Sequence, residues 1–202
     1  FLIPATPELF DYYAKFGYTP CFRFGWHTVK IDADSKQMRG NGCHPEEYSC
    51  HVSSANFQID ESPLAYLRVR MQERAMCVQH PLRDLRAVVD DMHLAGDTLW
   101  EVRRGDVLVA LAICRNEADG TLLRECVFDD EVACHVLIDT IAAHYGRTEV
   151  DVLDTTGLVG DYFGMARVID AEAMLVAYAA LHPELLLTLN VTDELLQENN
   201  GC

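Results

Sequence analysis

The first apolar pattern in the chain has a helical period. It places four apolar side chains on one face, which we expect to be buried against a sheet: Leu9, Phe10, Tyr13 and Phe16. Thr6 suits the N-cap of this helix, Pro7 its first position and Gly17 its left-handed C-terminal cap. Residues 1–4 are strand-like, and the alternating residues 19–31 predict one strand that leaves this first segment.

The middle of the chain predicts a mixed fold. Helical stripes cover 62–77 and 81–95, and a hairpin of two strands, 98–103 and 107–115, precedes further predicted elements: a strand over 121–128, a helix from 131 to 146 and a strand over 149–153. The nearly continuous apolar run 107–114 indicates a strand buried on both faces. We therefore expect an α/β (α+β) fold with a mixed, mostly antiparallel sheet flanked by helices.

The last part predicts one more helix and one more strand. Asp170 suits the N-cap of a helix that Pro183 ends. Four side chains on this helix are expected to point inward: Met174, Leu175, Tyr178 and Leu181. Apolar residues then alternate along a strand over 185–191.

Composition limits the possible partners. Sixteen basic and 32 acidic residues give a formal net charge of −16, which argues against binding to nucleic acid or to anionic membranes. The apolar run 107–114 is too short to cross a bilayer. The eight cysteines are spread along the chain, and several lie in apolar segments, as Cys114 and Cys126 do. This pattern is typical of reduced buried thiols, so we expect a cytoplasmic protein that binds no membrane.

Residues 32–58 are rich in turn formers and predict a connecting loop. It contains four possible metal ligands: Cys43, His44, Cys50 and His51. Adjacent Cys-His pairs differ from the usual spacings of zinc ligands, so we predict no metal site and interpret them as loop residues.

The sequence Tyr13-Ala14-Lys15-Phe16-Gly17-Tyr18 resembles the last conserved helix of the Gcn5-related N-acetyltransferase (GNAT) family. This resemblance implies acetyl-CoA as co-substrate and Tyr13 as the catalytic residue that protonates the departing thiolate. Without the resemblance, Tyr13 would be read as a residue of the apolar helix face.

In that family a glycine-rich loop that opens a helix holds the pyrophosphate of acetyl-CoA, and the loop would precede Phe1. We therefore expect a partial chain, with its cofactor-binding residues unknown. Residues 37–42 match the letters of the loop, but they follow the tyrosine helix and no helical period follows them, so we interpret them as a turn-rich loop. A second candidate helix start carries Asp129, Asp130 and Glu131, whose charges would repel a pyrophosphate.

The order of elements resembles the enhanced-intracellular-survival type of GNAT protein, and residues 164–170 resemble the start of its sterol-carrier-like domain. The resemblance implies four segments: the end of a first GNAT domain (1–31), a connecting loop (32–58), a degenerate second GNAT-like domain (59–155) and the start of a sterol-carrier-like domain (164–202).

Two functions remain open at this point. The first is acetyl transfer from acetyl-CoA to a primary amine of a small molecule or peptide, with the 202-residue chain inactive alone. The second is a non-catalytic module that binds a ligand or another subunit through the degenerate GNAT and carrier-like segments. A truncated first domain would leave an unpaired sheet edge and a bare apolar face, so we expect a homo-oligomer.

Overall fold

The computed structural model describes residues 1–31, 47–53, 61–74, 79–154, 159–184 and 186–201. In chain order its elements are α1 (Glu8–Ala14), β1 (Thr19–Phe24), β2 (Trp26–Lys30), β3 (Tyr48–Val52), α2 (Glu61–Gln72), α3 (Leu82–Leu94), β4 (Thr98–Arg104), β5 (Val107–Asn116), β6 (Thr121–Phe128), α4 (Glu131–Tyr145), β7 (Glu149–Leu153), β8 (Asp161–Ala166), α5 (Ala171–Leu181) and a short 3-10 helix (Gln197–Asn199). The described helices include none with the length and hydropathy of a transmembrane span.

The chain forms two compact units. One contains Phe1–Phe24 and Gly160–Cys202, and the other contains Gly25–Val159. The expected domain boundaries remain a prediction.

The unit Gly25–Val159 is built on a six-stranded sheet in the order β2-β7-β6-β5-β4-β3. Neighbouring strands are antiparallel except β6 and β7, which are parallel. One face packs against α4 and the other against α2 and α3. The predicted fold class, a mixed and mostly antiparallel sheet flanked by helices, is confirmed.

The most buried strand is β5, as its apolar run predicts. Residues 108–114 are all buried. Leu111 and Ile113 face α2 and α3, whereas Ala110 and Ala112 face α4. Small side chains under α4 allow the helix to lie close to the sheet.

The caps of α4 also agree with the sequence. The Asp130 side chain accepts a hydrogen bond from Ala133 N at 2.8 Å, and Gly146 ends the helix in the left-handed conformation with φ of 65°. Both α2 and α3 form where their stripes predict them, but α2 ends at Gln72, several residues before the predicted end.

A buried carboxylate connects three strands at one end of the sheet. Asp97 lies directly before β4, and its side chain is 1% exposed. It accepts hydrogen bonds from Arg115 Nε on β5 at 2.6 Å and from Arg124 Nη1 on β6 at 3.0 Å. Arg124 is the extra residue at a bulge in β6, because the pairing shifts between Ile113–Glu125 and Cys114–Leu123.

The predicted strand over 19–31 is wrong in one respect, because it is two strands separated at Gly25. The first half, β1, pairs with β8, and the second half, β2, pairs with β7. Apolar and polar side chains alternate on both sides of Gly25 because both halves are strands. The sequence pattern therefore does not show that the two strands belong to different sheets.

The prediction for the last segment is only partly confirmed. Asp170 caps α5 by accepting from Ala173 N at 2.9 Å, but α5 buries no residue. The four side chains expected to point inward are exposed: Met174, Leu175, Tyr178 and Leu181. Residue 185 lies outside the described residues, and 186–190 form no strand; Val191 makes a single bridge with Gly201.

Hydrogen bonds to the Asp193 side chain order residues 193–199. Its carboxylate accepts from Leu195 N, Leu196 N and the side-chain amide of Asn199 at 2.9, 2.8 and 3.0 Å. Arg167 Nη2 also donates to both carboxylate oxygens, at 2.9 and 3.1 Å. These hydrogen bonds hold the pKa of Asp193 well below its usual range, and the bond from Asn199 has the largest effect. Local side-chain acceptors of this kind favour a turn over a strand.

We expect Asp97→Ala to lower the free energy of unfolding by about 3 kcal/mol, because two guanidinium groups lose the carboxylate that they share. Asp106→Ala is the matched control in the exposed β4–β5 turn, where a substitution changes stability by about 0.5 kcal/mol at most. Urea denaturation measures both. Equal midpoints for the two variants would contradict a stabilising role for Asp97.

We expect the turn after Asp193 to open in acid. Since the folded pKa is lowered, the carboxylate stabilises the turn above the ordinary aspartate pKa of about 4, and this is lost as pH falls through the folded value. Amide hydrogen exchange at Leu195 and Leu196 should therefore show protection at neutral pH that weakens in acid. Asp193→Asn should abolish that pH dependence, whereas Glu194→Gln, the control, should keep it.

Candidate functional site

The predicted catalytic residue, Tyr13, lies on α1. It is half-buried, and its ring packs edge-on against Tyr12 and Tyr18 with centroids 5.3 and 6.0 Å away. Phe16 packs on Tyr12 with centroids 5.2 Å apart. Tyr13 therefore belongs to an aromatic cluster with Tyr12, Phe16 and Tyr18.

The start of α1 differs from the prediction. Pro7, with helical backbone angles, is the N-cap and makes no side-chain cap. Thr6 instead hydrogen-bonds the Glu8 carboxylate, which lowers the pKa of Glu8. The helix buries none of its residues, so the expected buried face is exposed at Phe16 and half-buried at Leu9, Phe10 and Tyr13.

The end of α1 is held as the sequence predicts, at Gly17 with φ of 78°. Arg167 Nη1 donates to Phe16 O at 2.9 Å, and a Cβ at Gly17 would lie 3.3 Å from Arg167 Nε. Because Arg167 also binds Asp193, the loop after Tyr13 is linked to the last segment of the chain.

The second candidate helix start is the N-terminus of α4. Asp130 caps it, and Asp129 accepts hydrogen bonds from Tyr66 Oη, at 2.6 Å, and from Arg70. Burial raises the pKa of Tyr66 most, and the hydrogen bond to Asp129 raises it further. The three carboxylates therefore lie at the start of α4, as the sequence predicts.

Next to α4 the parallel strands separate. They pair at Leu122–Asp151 and Leu123–Val152, and beyond Leu123 the bulge at Arg124 changes the path of β6. The parallel pairing of β6 and β7 is therefore limited to these two residue pairs.

An imidazole–carboxylate pair at this end of β7 has no counterpart in the sequence prediction. His27 Nε2 lies 3.1 Å from Asp154 Oδ1, with side chains 53% and 2% exposed. Asp154 also accepts from Val159 N at 3.1 Å, and its own N–H donates to Gly25 O at 2.9 Å. A buried carboxylate that orients an exposed imidazole can support general-base chemistry. No sequence signal joins the two residues, because only the β2–β7 pairing brings them together.

The possible metal ligands do not converge within the described residues. The interpretation of Cys50 and His51 as loop residues is wrong, because both lie on β3. Cys50 packs against the α4 side of the core, while its neighbour His51 is exposed. Successive strand residues point to opposite faces. Cys43 and His44, like the glycine pattern 37–42, lie outside the described residues, and no group of three or more possible ligands occurs within them.

No protein-family model matches the chain, and no curated protein matches it. Solved structures share its fold. A GCN5-related N-acetyltransferase from Kribbella flavida is 15% identical with a TM-score of 0.51, over 76% of this chain and 35% of that one. A conserved protein of unknown function from Enterococcus faecalis V583, described as a probable N-acyltransferase, is 14% identical with a TM-score of 0.52, over 76% and 37%. The chain thus spans little more than a third of the length of these proteins, and its fold is the GNAT fold.

Proposed function

We propose that this protein is a GNAT-type N-acetyltransferase that transfers an acetyl group from acetyl-CoA to a primary amine of a small molecule or peptide. The observation that supports it is the fold of the unit Gly25–Val159, with the antiparallel β4-β5-β6 meander, α4 and the parallel β7. Proteins named for N-acyl transfer share this fold. Since folds host many activities, the reaction itself is the proposal.

Tyr13 is the proposed proton donor. Its ring is held by Tyr12 and Tyr18, and the helix that carries it is held at its end by Arg167. Acetyl-CoA would supply the activated acyl group and the thiolate that leaves. A proton held on the Tyr13 hydroxyl would favour departure of that thiolate.

The start of α4 does not fit the pyrophosphate of acetyl-CoA. Asp130 already accepts from a backbone amide there, and Asp129 and Glu131 add negative charge. Like charges within a few ångströms disfavour binding of a phosphate. The unit Gly25–Val159 is therefore proposed as a structural copy of the fold, with no acyl-transfer step assigned to it.

We expect the 202-residue chain alone to show no acetyl-CoA binding by isothermal titration calorimetry and no turnover with primary amines, because its α4 start carries carboxylates. Asp129→Asn combined with Glu131→Gln is the informative variant. It removes two charges and keeps the Asp130 cap. Weak binding gained by this variant would support the electrostatic argument, while tight binding by the unaltered chain would contradict it.

In the longest natural polypeptide that contains this chain, we expect Tyr13→Phe to lower kcat about 100-fold or more with little change in acetyl-CoA affinity, as for a group that acts in the transition state. Tyr12→Phe is the matched control, since Tyr12 precedes Tyr13 on α1 and is 50% exposed. Steady-state kinetics and direct binding separate the two effects. An unchanged kcat would contradict the role of Tyr13 as proton donor and would leave it only a role in packing.

A second function, a non-catalytic binding module, is favoured by one observation. The apolar side chains of α5 are exposed, with Val176 at 65% and Leu181 at 77%. An apolar surface of this kind is typical of contact with a ligand or another subunit. This function would be favoured if the chain associates with itself to the same extent with and without acetyl-CoA, and if no acetyl transfer to primary amines is measured.

A further inference from the structure

Two cysteines lie on either side of the shortest connection to α4. Cys126 is near the end of β6, and Cys134 is in the first turn of α4. Only Asp129 and Asp130 separate the strand from the helix. The chain therefore turns back on itself at once, and the start of the helix lies over the end of the strand.

Both side chains face the same layer of the core. Cys126 pairs with Ala112 across β5 and β6, and Ala112 belongs to the core under α4. Cys134 continues the sheet-facing stripe that also contains Leu137, Ile138 and Ile141. Both cysteines are half-buried against this core, and their thiols hydrogen-bond each other.

The pKa values of this pair differ from those of two other cysteines of the same sheet, Cys50 and Cys114. Burial raises the pKa of Cys50 to about 11 and that of Cys114 to about 12. The hydrogen bond that Cys126 donates lowers the pKa of Cys134 and, with burial, raises that of Cys126. Cys134 is thus the more acidic thiol of the pair, and Cys126 lies beside it as the second thiol.

We propose that Cys126 and Cys134 form a redox-active dithiol whose oxidant is a low-molecular-weight disulfide. The Cys134 thiolate attacks one sulfur of that disulfide, so a mixed disulfide forms and one thiolate leaves. The Cys126 thiol then loses its proton and attacks the Cys134 sulfur, which closes the protein disulfide and releases the second small thiolate. Two protein thiols are oxidised and one small disulfide is reduced to two thiols. This inference does not depend on the proposed acetyl transfer.

The probe for the test is glutathione disulfide, added to the reduced 202-residue chain. Remaining thiols are alkylated after denaturation, and the peptides are mapped by mass spectrometry. We expect a Cys126–Cys134 disulfide that dithiothreitol reverses. In the Cys126→Ser variant the reaction should stop at the mixed disulfide of Cys134 with one glutathione, because the second thiol is missing.

The controls separate this chemistry from simple exposure. Cys21 is exposed and Cys50 is half-buried, and neither forms a disulfide with another described cysteine. Modification of Cys21 reports the reaction of a single exposed thiol, and Cys50→Ser should leave the yield of the Cys126–Cys134 disulfide unchanged. Cys134→Ser should leave Cys126 without glutathione. The proposal is overturned if both cysteines remain alkylated under conditions that modify Cys21, or if Cys126→Ser carries no adduct on Cys134.

Discussion

Burial of β5 on both faces is the constraint on which the sheet unit depends. Residues 108–114 of this strand are buried, and no alternation of polar side chains offers a face to water. Helices must therefore cover both sides, α4 on one and α2 with α3 on the other. Since α4 follows β6 and must return over the same sheet, the next strand, β7, joins parallel to β6.

This constraint explains which parts could be predicted from the sequence. Periodicity and caps locate elements that bury apolar faces locally, so β4 to β7 and α4 match their predicted ranges, with Asp130 and Gly146 at the two ends of α4. Contacts between distant residues leave no such signal. The separation of β1 from β2 at Gly25, and the pairing of β2 with β7, depend on partners more than a hundred residues away.

The candidate sites divide in the same way. Tyr13 could be proposed because its neighbours form a local pattern, and Gly17 takes the left-handed conformation expected for it. His27 with Asp154, and Asp97 with its two arginines, are products of strand pairing and β-bulge geometry. The predicted strand over 185–191 is wrong for residues 186–190. The hydrogen bonds that order the turn after it, from Leu195 N and Leu196 N to Asp193, lie beyond the alternating pattern.

Charge and packing at the start of α4 act on different groups. The dipole of the helix favours negative charge at its first turn, and in this chain Asp130 supplies it from within. Because Asp130 already accepts a backbone hydrogen bond at the start of α4, an anionic ligand would be stabilised less there. The dipole of the helix still acts on the thiol of Cys134 in the first turn. The two-residue connection from β6 to α4 thus places carboxylates at the start of the helix and also brings the two cysteines of the proposed dithiol to the same end of the sheet.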